Sequence, residues 1–72
     1  MKLYRYERIN NEIQETYIAQ FNSEKDAFAK MKEMEDHLSS TGYSIKSRDL
    51  DHFIAEKTMS TGAVIWKRFE LE

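Results

Sequence analysis

Between two groups of strand-like runs the chain holds a single helix-like segment, Ser23 to Thr41, and that one helix limits what the sheet around it can become. Ala27, Phe28, Met31, Met34 and Leu38 recur at three- and four-residue spacing, which gives one apolar stripe, while Lys30, Lys32, Glu33 and Asp36 fall on its flanks or back. Met31 and Met34 belong with Phe28 as core filler on this stripe, not with an exposed recognition surface. Ser23 followed by Asp26 resembles a capping box with the shorter acid, and Glu24 and Asp26 suit the positive end of the helix. Ser39-Ser40-Thr41 lowers helical propensity, and Gly42 supplies the left-handed residue that commonly closes a helix.

The flanking runs read as strands. Lys2 to Ile9 alternates charged with apolar or aromatic residues, and Ile13 to Phe21 is rich in β-branched and aromatic types. Asn10-Asn11 between them suits a tight hairpin turn, because asparagine tolerates left-handed backbone. Two registers are open. A two-residue loop places Tyr4 opposite Tyr17 and Arg8 opposite Ile13, whereas a three-residue loop pairs Ile9 with Ile13 and exchanges the faces. After Gly42, Tyr43 to Arg48 alternates, Asp49-Leu50-Asp51 reads as a turn, and Phe53 to Thr58 as a strand. Met59 to Gly62 carries turn residues, and Ala63 to Glu70 has the strongest strand character, with Val64, Ile65, Trp66 and Phe69. The expected fold is α+β in ββαβββ order, one helix packed on one face of a mainly antiparallel sheet. Residues 1–70 form one domain, and Leu71-Glu72 resembles a vector-derived tail.

Five strands about 4.8 Å apart span roughly 20 Å, whereas a helix with its side chains is about 10–12 Å across. One helix barely covers one face. Alternation assigns Tyr43, Ile45, Phe53, Ala55, Ile65 and Phe69 to the helix side, and Lys46, Arg48, Ile54, Val64, Trp66 and Arg68 to the other. Those six are the candidate interaction face. Three readings compete for it. Trp66 can be core through sheet curvature or a shifted register. Two copies can pair such faces or edge strands as a homodimer, which eases the small core of a 72-residue chain. Alternatively, Trp66, Tyr4 or Tyr6 can stack the bases of a single-stranded nucleic acid while Lys46, Arg48, Lys67 and Arg68 meet its phosphates. Contact with self or another protein is the preferred reading, because 11 basic against 13 acidic residues leave a formal charge of −2.

Other chemistry has little support in the residues. There is no cysteine to form a disulfide or serve as a nucleophile, and the serines lie at caps, turns and alternating strand positions. Gly42 and Gly62 are the only glycines, so no glycine-rich phosphate loop can form. His37 falls near a helix end, where an imidazolium is favoured by the helix dipole. Asp49-Leu50-Asp51-His52 is the nearest approach to a metal cluster, but its spacing matches neither a calcium loop nor a zinc motif, and aspartates bonding their own backbone explain it better. A non-enzymatic chain with no cofactor and no metal is expected. The absence of any long apolar run, together with an amino-terminal segment that alternates charge and aromatics, points to the cytoplasm and away from membranes. Gly42-Tyr43-Ser44-Ile45 after the helix and the terminal Ile65-Trp66-Lys67-Arg68 resemble short bacterial proteins with an aromatic first strand and an aromatic-Lys-Arg ending. That resemblance implies no activity and transfers no residue roles.

Overall fold

A computed structural model describes residues 1–9 and 11–72. Five strands, β1 (Lys2–Ile9), β2 (Glu12–Gln20), β3 (Ser44–Arg48), β4 (His52–Thr58) and β5 (Val64–Leu71), form one antiparallel sheet in the order β2-β1-β5-β4-β3. The helix α1 (Glu24–Ser40) crosses one face. The expected α+β class and ββαβββ order are therefore the observed architecture.

Local chemistry accounts for the element boundaries. The Ser23 side chain accepts a hydrogen bond from the Asp26 amide at 3.2 Å, which opens the helix. At the other end Gly42 takes φ +99°, its amide bonds the Ser39 carbonyl, and the Tyr43 amide returns to Leu38 at 3.0 Å. This paired closure uses carbonyls that the helix leaves free, and the positive φ is why glycine stands there. The first hairpin adopts the two-residue register: Ile9 pairs with Glu12, Arg8 with Ile13 and Tyr4 with Tyr17. Asn11 sits at φ +68°, in the left-handed region expected for that turn, while Asn10 lies outside the described residues.

The core gathers Leu3, Ala27, Met31, Leu38, Phe53, Ala55, Phe69 and Leu71 between helix and sheet. Phe53 is 1% exposed and stacks on Phe69 with ring centroids 4.9 Å apart. Leu71, set aside above as part of a tail, ends β5 and is buried, while Glu72 exchanges backbone hydrogen bonds with Lys2 at 2.7 and 2.8 Å. Both residues are thus integrated with the sheet. Among the described residues no helix is long and apolar enough to cross a membrane.

Candidate interaction face

Strand pairing sets the side chains of the uncovered face in rows. Tyr17, Tyr4, Glu70 and His52 lie side by side across β2, β1, β5 and β4. The next row is Glu15, Tyr6, Arg68 and Ile54, and the row after it is Ile13, the neighbouring Arg8, Trp66 and Glu56. Val64 continues β5 beyond Trp66 and is 53% exposed. Trp66 stands outside the buried cluster, with the Arg8 guanidinium 5.7 Å from its ring centroid. Tyr4 and Tyr17 also meet as a tilted pair, 5.9 Å between centroids.

The sheet places Ile54, Val64, Trp66 and Arg68 of the candidate set together on this face. Lys46 and Arg48 behave differently, and the cause is a bulge. Ile45 pairs with Ala55, but Ser47 pairs with Ile54 and Arg48 with Phe53, so Lys46 is the extra residue and the alternation shifts after it. Arg48 consequently reaches the helix side and forms an ion pair with Glu35 of α1. Its assignment to the open face is corrected by this one-residue shift. Lys46 is exposed at the bulge itself.

A second bulge, between the pairs of Leu3 and Tyr4 with β2, leaves Ile18 as the extra residue, so Ile18 and Ala19 both fall on the helix side and only the turn-proximal part of β2 keeps strict alternation. Tyr4, Tyr6, Arg8, Ile13 and Tyr17 join the face because β1 inserts between β2 and β5. That neighbour relation requires strand order. Alternation within each run carried the signal for these residues, but nothing in it told which runs would be adjacent.

Both arginines of the face are engaged within it, and its carboxylates outnumber them. Arg68 pairs with Glu70 at 3.2 Å, Arg8 lies over Trp66, and Glu15, Glu56 and Glu72 supply further acids. Tyr6 donates its hydroxyl to Glu72 at 2.8 Å. That hydrogen bond raises the phenol above its ordinary ionisation range, with desolvation and the nearby Glu15 carboxylate acting in the same direction. Lys67 lies on the helix side, 3.7 Å from Glu7 and 5.4 Å from the Tyr43 ring centroid.

Elsewhere, a groove of about 410 Å³ runs between α1 and the sheet, lined in part by Arg5, Lys30, Met34, His37, Lys67 and Phe69. Its charged groups face one another or immediate neighbours: Lys30 pairs with Glu33, and Arg5 and Lys67 with Glu7. Asp49, Asp51 and His52 bring possible ligand atoms within 4.8 Å of one another at the β3–β4 turn. Within it the Asp49 carboxylate accepts from the Leu50 amide at 2.8 Å, and the Asp49 amide donates to the His52 carbonyl at 2.8 Å. These are turn-stabilising bonds. No protein-family model matches the chain, and no curated protein or solved structure matches it either.

Proposed function

We propose that this chain is a non-enzymatic protein-interaction module that works as a homodimer, meeting its partner through the uncovered sheet surface or the strand edge adjoining it. The observation that carries this reading is the row structure of that face. Trp66, Tyr4, Tyr6 and Ile54 stand beside Arg8, which lies over Trp66, and Arg68, which is paired with Glu70, while the one helix of the described residues packs on the opposite face. A face that mixes aromatic, aliphatic and charged side chains suits a second protein surface.

The same geometry weighs against a single-stranded nucleic-acid platform. Of the four basic residues that such a platform would use, Arg48 and Lys67 lie on the helix side, and Arg68 is engaged by Glu70. A polyanion would then meet Glu15, Glu56, Glu70 and Glu72 around the aromatics.

Sedimentation equilibrium of the full chain tests the proposal. A concentration-dependent dimer is expected, and Trp66→Ala, with its far-ultraviolet spectrum unchanged, reads whether the sheet face contributes to the contact. A chain that stays monomeric and instead binds mixed-sequence single-stranded RNA in a steeply salt-dependent manner would replace this reading with the nucleic-acid one.

A further inference from the structure

We propose that β2 is the seam of the dimer: two copies pair their β2 strands antiparallel about a two-fold axis at Glu15 and join two five-stranded sheets into one of ten. The inference rests on the homodimer reading above and names the surface that reading leaves open.

The argument begins with which backbone groups are free. Lys2 and Glu72 exchange both of their backbone hydrogen bonds, so Lys2 turns its polar groups toward β5. In an antiparallel sheet that direction alternates along the strand. Tyr4, Tyr6 and Arg8 therefore also bond toward β5, while Arg5 and Glu7 bond toward their β2 partners Thr16 and Gln14. Ile13, Glu15 and Tyr17 are left with N–H and C=O directed away from the sheet. An uninterrupted row of such groups is a template for another strand.

The two edges of this sheet are protected very differently. β3 has five residues, is interrupted by the bulge at Lys46, and ends in Arg48 tied to the helix. β2 has nine residues with no lysine, arginine or proline, and its pairing from Glu12 to Tyr17 is unbroken. Short length, bulges and charged side chains, lysine above all, are the usual means of blocking edge pairing. β3 has all three, whereas the first two-thirds of β2 is long and unbroken and carries only the acids Glu12 and Glu15.

Self-complementarity selects a second copy of this chain as the occupant. A two-fold antiparallel pairing must match outward-directed residues with outward-directed residues, which restricts the choice to Ile13, Glu15 and Tyr17. Centring the axis on Glu15 sets Ile13 opposite Tyr17 of the partner subunit, and does so twice. These are two of the large apolar side chains left most open, 53% and 50% exposed, and they border the aromatic face already described. On the opposite side Gln14 meets Thr16 of the partner subunit, a neutral pair. The only like charges brought face to face are the two Glu15 carboxylates, a repulsion that keeps the association reversible.

Sedimentation and amide hydrogen exchange on the full chain test the seam. Wild type is expected to dimerise, with the Ile13, Glu15 and Tyr17 amides exchanging slowly at high protein concentration and fast on dilution. Glu15→Gln should tighten the dimer several-fold by removing the opposed charges. Glu15→Pro removes an outward N–H without touching the bonds to β1, and should give a folded monomer. A dimer in which those three amides exchange fast, or which survives Glu15→Pro but dissociates with Trp66→Ala, overturns the seam while leaving the homodimer reading in place. A wild-type chain that remains monomeric at millimolar concentration overturns both.

Discussion

Replacing Phe53 by alanine tests directly which face of the sheet is the core. Phe53 is 1% exposed and stacked at 4.9 Å on Phe69, so the variant loses a whole ring and leaves a cavity that the neighbouring strands can only partly close. Substitutions of this kind cost about 3–5 kcal/mol. A domain of 72 residues, at roughly 0.05–0.15 kcal/mol per residue, has only about 4–11 kcal/mol to lose. Phe53→Ala should therefore lose at least about a quarter of the folding free energy and unfold outright toward the lower bound, while Phe53→Leu, which keeps most of the apolar volume, should cost clearly less and stay folded. Trp66 is partly exposed and lies outside the buried cluster; its truncation removes partial burial and one cation–π contact, together about 1–2 kcal/mol. The assay is urea unfolding followed by circular dichroism, at a protein concentration low enough that association adds nothing to apparent stability. If Trp66→Ala lowers the stability of the monomer as much as Phe53→Ala, the assignment of the core to the helix side is refuted.

Two further outcomes follow from the local geometry. Ser23→Ala removes the acceptor of the Asp26 amide and should cost about 1 kcal/mol, with Ser23→Thr restoring most of it; an unchanged melting curve for the alanine variant would remove the cap from the account of helix initiation. The Tyr6 phenol, held neutral by its bond to Glu72, ionises at higher pH in the folded chain than in the unfolded one. Its contribution to stability is present below the ordinary tyrosine pKa, about 10, and is lost as pH rises beyond that value. Ultraviolet titration should show one late-ionising tyrosine that returns toward the ordinary range in Glu72→Gln; four tyrosines titrating together would contradict the bond.

Much of the fold was legible because it depends on short-range periodicity. The stripe Ala27, Phe28, Met31, Met34 and Leu38 placed the helix, Ser23 and Gly42 marked its ends, and all five strands overlap runs read from alternation, β-branched and aromatic content or flanking turns. The candidate face was legible in part for the same reason: Ile54, Val64, Trp66 and Arg68 keep the parity of unbroken strands. Arg48 escaped because a single bulge at Lys46 reverses parity, and Lys-Ser-Arg carries no residue that announces one. Leu71 escaped because its burial depends on β5 continuing beside β1 and on the Asp51 carbonyl that accepts its amide, contacts distant in sequence.

The sequence by itself determined the element types, the caps and the presence of one helix too narrow for its sheet, since each follows from residues within a turn or two of one another. The tertiary structure alone decided that β1 lies between β2 and β5. That placement brings Tyr4, Tyr6 and Arg8 beside Trp66 and Arg68, and leaves β2 as the longer of the two sheet edges. Strand order depends on which distant pairings together bury Leu3, Phe53, Phe69 and Leu71 under one helix, a global packing condition that no local pattern encodes.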